Sequence, residues 1–280
     1  MVWRGEKSVA IITHKLAWDK CLSHQIWPAI EKGWKDEDKE IHFFWGLAGD
    51  NISEIRKCIE NNKEWWFVDT GYLTQQIVRY PEPKIIDTKR TYFRICKGAI
   101  HTNRGKVNTP ARLEKLIKLG IDAEFKGWDT GDTKHILLCP SSQTVTYHIN
   151  GISQDEWIKK ATEEIKQHTD RKIILRNKPR PGNQWWNTDI KKDLKHCHAM
   201  ITNFSLSAFD ALLNYVPVFA EGHSVMGPVT SRDLKYIEKP LRPGRKTMDE
   251  WLKFIAENQF TLEEMASGEA YEILRHQNED

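Results

Sequence analysis

Polar and basic side chains follow three short apolar runs in the second half of the chain. They are Ser141, Ser142, Arg176, Lys178, Asn203, Ser205 and Ser207. Unpaired backbone N–H groups at the start of a helix, with hydroxyl groups and opposite charge nearby, favour a bound phosphate. The pattern therefore predicts an anion or nucleotide site. For Ser205 or Ser207 taken singly, the alternative is a helix cap that binds no ligand.

The elements that must position these groups show strand–helix alternation in each half of the chain. In the first half, strands are predicted at 8–13, 41–46, 65–69 and 91–95, with helices at 15–33 and 51–61. In the second half, strands are predicted at 135–140, 172–176, 199–202 and 216–219, with helices at 153–168 and 207–214. Such alternation predicts an α/β fold with doubly wound sheets, whose ligands bind beyond the carboxyl ends of the strands.

The domain organisation is predicted from length and local composition. A chain of 280 residues suggests two domains at roughly 100–200 residues each. The segment 100–134 is rich in Gly, Asn, Asp and Thr, and is the predicted connection. We predict an N-terminal domain over 1–130, a second domain over 131–246, and C-terminal helices over 247–280 that pack across both. The two tail helices, 247–257 and 261–276, are each expected to begin at a Thr cap.

Composition excludes several classes of protein. Hydrophobic residues make up 39% of the chain and charged residues 29%, which argues against a disordered, collagen-like or disulfide-scaffold protein. No apolar window reaches the roughly 18 residues of a membrane span, so we expect a cytoplasmic protein without membrane contact. The five dispersed cysteines include no CxxC pair and are expected to be reduced. Trp65-Trp66 and Trp185-Trp186 lie among polar residues, where their rings are expected to line a cleft or stack on a ligand.

The run from Ala199 to Phe219 resembles the donor-binding segment of the GT-B glycosyltransferases. In that family a strand, a small-residue turn, a helix with an acidic residue and a G-x-P-V strand recur. Arg176-Asn177-Lys178-Pro179 looks like the basic-proline segment of these enzymes, and residues 251–274 resemble their closing helices. The resemblance is to capsular-polysaccharide and Kdo transferases and to phage-encoded DNA-modifying transferases. Asn214-Tyr215 stands in place of the usual Gly, and Asp210 in place of the commoner Glu.

The resemblance implies two Rossmann-like domains that face a cleft, with the C-terminal helices closing back. The second domain would hold a nucleotide sugar, with a UDP-sugar favoured, through the seven residues named first and Asp210. No tightly bound cofactor and no essential metal are expected, because a helix N-terminus and basic side chains stabilise the departing diphosphate. The sequence itself contains no HExxH, P-loop or GxGxxG motif.

If the transferase inverts the configuration of the sugar, it also needs a carboxylate or histidine on the acceptor side that takes the proton of the acceptor hydroxyl. Asp69, which ends an apolar run beside Gly71, is the first candidate base. His14, at the end of the first predicted strand, is the second. The alternatives are a turn or cap carboxylate for Asp69 and a loop histidine for His14.

Basic and aromatic side chains interleave over residues 89–106, which is a pattern suited to DNA. The predicted acceptor contacts are Tyr72, Arg90, Arg94, Lys97 and Arg104. Cations would meet phosphates, and the rings of Tyr92 and Phe93 would support an extruded base. With phage enzymes in the resemblance, DNA carrying a hydroxylated or hydroxymethylated pyrimidine is favoured over a surface or capsular glycan. A solvated basic loop and a non-catalytic nucleotide-binding module are the other interpretations.

Overall fold

The computed structural model describes residues 11–14, 22–35, 40–73, 76–78, 80, 82–101, 110–129, 131–221 and 224–277. The chain divides into two compact units. Unit 1 comprises Met1–Asn108 with Ala256–Asp280, and unit 2 comprises Thr109–Ile255. Residues 110–129, which were assigned to the first domain, therefore belong to unit 2. The last segment of the chain returns to unit 1.

The strands of the described residues are β1 (Ile11–His14), β2 (Ile41–Trp45), β3 (Glu64–Thr70), β4 (Ile77–Val78), β5 (Lys84–Ile85), β6 (Phe93–Lys97), β7 (His135–Leu138), β8 (Lys172–Leu175), β9 (Cys197–Thr202), β10 (Val218–Ala220) and β11 (Gln259–Phe260). The helices are α1 (Ser23–Gly33), α2 (Asn51–Glu60), α3 (Ala111–Lys118), α4 (Gln143–Asn150), α5 (Gln154–Lys166), α6 (Ile190–Leu194), α7 (Ser207–Leu213), α8 (Arg245–Glu257), α9 (Leu262–Ser267) and α10 (Glu269–Gln277). The architecture is mixed α/β, as predicted. No helix in these ranges is both long and apolar enough to span a membrane.

Unit 1 contains a mixed sheet. Its strand order is β1-β2-β3-β6-β11, in which β1, β2 and β3 are parallel while β6 and β11 are antiparallel to their neighbours. The predicted strand over 91–95 corresponds to β6, which runs antiparallel to β3 and does not continue the strand–helix alternation of the predicted doubly wound sheet. The described part of the connection from β3 to β6 holds the small β4–β5 ribbon and no helix, so the chain does not make the helical crossover that a parallel pairing requires.

The two faces of the unit 1 sheet differ because strand residues alternate between them. One face, with Phe43, Trp66 and Phe93, packs against α1, α9 and α10 in a continuous apolar core. Trp34 of this core meets Phe43 and Trp66 edge to face, at 4.9 Å between ring centroids in each pair. Trp65 is 8% and Trp66 is 3% exposed, so the prediction that this pair lines a cleft or stacks on a ligand is wrong. Their strand buries both faces.

Unit 2 contains the parallel sheet that the sequence predicted. Its strand order is β10-β9-β7-β8, with every pairing parallel. Ile136, Ala199 and Phe219 pack beneath α5, which contributes Trp157 and Ile165 to the same core. The chain leaves β7 for β8 on one side and returns to β9 on the other, so the strand order reverses between β7 and β9.

Several helix boundaries differ from the predicted ones. The predicted helix over 261–276 is two helices, since Gly268 ends α9 in a left-handed conformation with φ of +88°. Thr261 caps α9 in a capping box with Glu264, as expected, whereas Thr247 lies inside α8 and is not a cap. The sequence analysis missed α3 and α4 entirely. Each of these helices has only eight residues, and so short a segment leaves little room for a periodic pattern in the sequence.

Candidate functional site

The carboxyl edge of the unit 2 sheet is the first place at which the predicted residues come together. At the point where strand order reverses, the loops that leave adjacent strands diverge and open a crevice for a ligand. In unit 2 this point lies between the ends of β7 and β9, which lead into Ser141 and Asn203 respectively. The fold therefore brings two of the predicted strand ends to the position where α/β sheets bind ligands.

Asn203 joins these two strand ends through its side chain. Its Oδ1 accepts from the backbone N–H of Ser141 at 2.8 Å and of Phe204 at 3.0 Å. Its Nδ2 donates to Thr146 Oγ1 and to Asn150 Oδ1, each at 3.0 Å. The amide is fully buried, and its two donors and two acceptor positions are all used. Asn203 thus shapes the crevice by holding the β7 loop and α4.

Two serines at the start of α4 have unused hydroxyl groups. Ser141 is 5% exposed, and its Oγ has no hydrogen-bond partner among the described residues. Ser142 is half-buried and is the N-cap of α4, yet its side chain caps no backbone N–H. A capping serine normally satisfies one of the first N–H groups of its helix. The start of α4 therefore keeps both hydroxyl and amide donors available.

Ser205 and Ser207 are used differently. Ser207 Oγ donates to Ser205 Oγ at 2.9 Å, and the backbone N–H of Ser205 donates to Thr202 Oγ1 at 3.0 Å. The helix that follows, α7, has only seven residues. The two serines therefore organise the turn that leads into α7, although neither is the N-cap residue of that helix, which is Leu206.

Arg176 lies at the end of β8, but its charge is already compensated. Its Nη1 forms an ion pair with Asp193, and its Nη2 donates to the carbonyl oxygen of Thr188 at 2.9 Å. The side chain is 6% exposed. Arg176 thereby anchors the loop that follows β8, while Lys178 in that loop is exposed. Trp186, farther along the same loop, is 37% exposed.

Asp210, the acidic residue of α7, is exposed at the surface. Desolvation by the protein around it raises the pKa of its carboxyl to about 6.

The unit 1 sheet carries a hydrogen-bonded chain of three side chains that runs from the carboxyl end of β1 to the residue before the amino end of β2. His14, the last residue of β1, lies with its Nε2 at 2.9 Å from Nδ1 of His42 on β2. Nε2 of His42 lies 2.8 Å from Oε1 of Glu40, which also accepts from Lys63 at 2.6 Å. The His14 ring stacks on Phe44, with 4.0 Å between centroids.

His14 is neutral at neutral pH. Burial is the main cause that lowers its pKa to about 4, with the neighbouring His42 acting in the same direction and Glu54 on α2 opposing it. The Nδ1 atom of His14 has no hydrogen-bond partner in the described part of the chain. A neutral imidazole with an unused nitrogen is able to accept a proton or a hydrogen bond.

Asp69, the other candidate base, holds β3 and β6 together. Its Oδ2 accepts from Nη2 of Arg94 at 3.1 Å, and its Oδ1 accepts from the backbone N–H of Thr70 at 2.7 Å. Arg94 also donates to the carbonyl oxygens of Thr70 at 2.7 Å and Ile100 at 3.2 Å. These contacts give Asp69 a structural function, which is the alternative named above. Its catalytic role stays a prediction.

The predicted acceptor residues do not form an exposed basic face. Arg94 is 4% exposed and Tyr72 is 3% exposed, so the expectation that they contact DNA is wrong. The rings of Tyr92 and Phe93 are also buried and cannot support an extruded base. Their segment lies within or beside β6, a central strand that buries both faces.

The remaining basic residues that were predicted to contact DNA are Lys97, Arg90 and Arg104. Lys97 is at the surface, pairs with Glu64 at 3.2 Å and lies over the ring of Trp66. Arg90 is half-buried. Arg104 lies outside the described residues.

The fold of this chain is similar to that of solved structures, although its sequence matches no known family. No protein-family model matches the chain, and no curated protein matches it by sequence. Among solved structures, it is similar to the Thermosulfurimonas dismutans KpsC β-Kdo 2,7 transferase, with a TM-score of 0.52 and 13% identity over 94% of this chain and 99% of that one. The chain shares its fold with Kdo transferases. The KpsC β-Kdo 2,4 transferase of the same organism is also similar, with a TM-score of 0.51 and 11% identity over 88% of this chain and 89% of that one.

The comparison confirms the resemblance to Kdo-type transferases at the level of the fold. Both structures are named as transferases of Kdo, and neither name refers to DNA. The described residues contain no group of three or more side chains suited to hold a metal ion.

Sequence reasoning named His14 but missed Glu40 and His42. A signal was present, because His42 and Phe44 alternate on one face of an otherwise apolar strand and a carboxylate precedes them. The pairing of this strand with β1 could not be read from the sequence, and only that pairing brings His42 to His14.

Proposed function

We propose that this protein is a glycosyltransferase that moves a sugar from a nucleotide sugar to a hydroxyl group of a glycan. The observation that carries the proposal is the likeness to Kdo transferases over nearly the whole length of both chains. The reversal point of the unit 2 sheet, with its unused serine hydroxyls, supports a donor site there. His14 in unit 1 supports a group that accepts the proton of the acceptor hydroxyl.

The proposed division of roles follows the chemistry of each unit. Unit 2 binds the nucleotide sugar, and the N–H groups and hydroxyls at the start of α4 stabilise the phosphate charge that develops as the sugar leaves. In unit 1, His14 is favoured over Asp69 as the base, because both oxygens of Asp69 already have donors.

A glycan is favoured over DNA as the acceptor. The DNA interpretation depended on a basic and aromatic surface, and Tyr72, Tyr92, Phe93 and Arg94 of that surface are buried. The glycan interpretation is supported by the names of the two similar structures.

Donor binding is tested by a thermal-shift screen against CMP, UDP, GDP and their sugars, including nucleotide-activated Kdo and UDP-sugars. A ligand that binds only the native state raises its stability by RT ln(1 + [L]/Kd). We expect one nucleotide class to raise Tm in a concentration-dependent way. Transfer is then followed by mass spectrometry with oligosaccharide acceptors and with DNA containing 5-hydroxymethylcytosine. Transfer to that DNA alone would reject the glycan acceptor, and no stabilisation by any nucleotide would support the non-catalytic alternative.

Two serines at helix N-cap positions, Ser142 of α4 and Ser153 of α5, provide a matched pair for locating the donor site. Ser142→Ala removes a hydroxyl that caps nothing, so stability should hardly change while nucleotide affinity falls about tenfold, the effect of losing one hydrogen bond to a charged group. Ser153→Ala removes a hydroxyl that accepts from the N–H of Glu156 at 3.1 Å. That variant should lose about 1 kcal/mol of stability and keep its affinity. Equal nucleotide affinity in both variants would move the donor site away from α4.

A further inference from the structure

The two hydrogen bonds that link Glu40, His42 and His14 run in one direction, because the carboxylate of Glu40 has no hydrogen to donate. A carboxylate only accepts hydrogen bonds, so the 2.8 Å contact to Glu40 requires the hydrogen of His42 to be on Nε2. In neutral His42 the Nδ1 atom then carries a lone pair. The 2.9 Å contact between the two rings therefore requires Nε2 of His14 to be the donor.

This order of hydrogen-bond donors leaves one ring nitrogen of His14 able to accept a proton. With its hydrogen on Nε2, neutral His14 carries its lone pair on Nδ1, the atom that has no partner among the described residues. We propose that Glu40 and His42 are positioning residues that fix the tautomer of His14 and present Nδ1 as the proton acceptor. The proposal rests on the proposed function, since it concerns the base of that same reaction.

The surroundings of the chain fit this role. Glu40 is held by Lys63 at 2.6 Å, and the ring of His14 is held in plane by its stacking on Phe44. When Nδ1 of His14 takes the proton of the acceptor hydroxyl, the acceptor oxygen bonds to the anomeric carbon of the sugar while the bond from that carbon to the donor phosphate breaks and the nucleotide leaves with its electron pair. The imidazolium keeps its Nε2–H bond to His42. The positive charge then lies two hydrogen bonds from the Glu40 carboxylate, which stabilises it.

Glu54 provides a matched control for Glu40. Both are carboxylates near His14, and Glu54 acts on it through space while pairing with Lys57 at 2.7 Å. Glu54 takes part in neither of the hydrogen bonds that link Glu40, His42 and His14. Glu54→Gln therefore removes the same negative charge and leaves those two hydrogen bonds in place. Both glutamates lie at or near the surface, and a thermal melt of each variant checks that it folds.

The first test needs no substrate, and its result is independent of whether the protein transfers a sugar. Nitrogen-15 NMR of the histidine rings in the wild-type protein at pH 7 should show His14 and His42 both protonated on Nε2. Glu40→Gln should convert this to a mixture or to the opposite tautomers, because the amide of Gln is able to donate to Nε2 of His42. Glu54→Gln should leave both tautomers unchanged. A wild-type His14 protonated on Nδ1, or tautomers that are the same in Glu40→Gln, would overturn the proposal.

The second test uses the transfer reaction once a donor and an acceptor are found. His14→Gln should lower kcat by about 10²–10⁴-fold, the usual effect of losing a positioned base. Glu40→Gln should lower kcat at least about tenfold with little change in KM, since a wrong tautomer costs turnover. Added to His14→Gln, the Glu40 substitution should have no further effect. If the Glu40 substitution lowers kcat equally in the wild type and in His14→Gln, the role of Glu40 is merely structural. A fully active His14→Gln would instead reject His14 as the base of the proposed function.

Discussion

At the scale of single residues, burial decides which polar groups are structural. Arg94 is a clear case, because its guanidinium has three partners and also lies over the rings of Phe67 and Tyr72 at 5.3 and 5.6 Å. Burial beside Arg94 keeps the pKa of His101 well below its usual value, so this histidine is neutral. This cluster stabilises the sheet, and the positive charge of Arg94 is already paired and is not available to a ligand.

Asp69→Asn should therefore destabilise the protein, whatever it does to catalysis. The substitution leaves the buried Arg94 charge without its counter-ion, and we expect a loss of about 2–3 kcal/mol in the free energy of unfolding. Glu64→Gln is the control on the same strand, since its partner Lys97 is 38% exposed and such pairs contribute about 1 kcal/mol or less. Urea denaturation of both variants makes the comparison. Equal stabilities would show that the Asp69–Arg94 pair does not hold β3 to β6.

At the scale of elements, close packing of backbone explains why the last residue of α1 is a glycine. A Cβ atom at Gly33, the last residue of α1, would lie 1.7 Å from the carbonyl oxygen of Met265 in α9. Only a glycine allows this approach. The sequence predicts that the helix ends near Gly33, whereas the need for glycine at that position comes from a contact with a helix more than 200 residues later.

Gly33→Ala should consequently separate α1 from α9. We expect a loss of about 3 kcal/mol in unfolding free energy, because the obstruction is backbone that cannot rotate away. Gly227→Ala is the matched control: its Cβ would meet no atom within 4 Å and its φ is not positive, so its stability should stay within about 0.5 kcal/mol. Thermal or urea unfolding measures both. A Gly33→Ala protein as stable as wild type would mean that α1 and α9 do not approach as closely as described.

At the scale of the whole molecule, unit 1 is discontinuous in sequence whereas unit 2 is continuous. The last segment returns to unit 1 through β11, which pairs antiparallel with β6. It also contributes Phe260, Met265, Tyr271 and Leu274 to the core of that unit. Unit 1 therefore cannot complete its core until the end of the chain is present.

Truncation after Asn258 should unfold unit 1 and spare unit 2. The deletion removes four large apolar side chains from one core, and each such loss costs about 2–5 kcal/mol, which together exceeds the stability of a typical domain. Limited proteolysis with mass spectrometry, or hydrogen exchange, should show protection only within 110–255. Protection of β2 and β3 in the truncated chain would contradict the expectation.

The sequence alone determined the features that depend on near neighbours. The strands of unit 2, their polar carboxyl ends, the start of α5 at Ser153 and the capping box of Thr261 and Glu264 all follow from short-range patterns, because capping and periodicity act within a few residues. Only the tertiary structure decided which strands pair and which side chains are buried. The antiparallel placement of β6, the burial of Arg94 and the meeting of His14 with His42 each join segments at least 23 residues apart in the chain. No local pattern encodes such a pairing, since the free energy that selects it comes from the core as a whole.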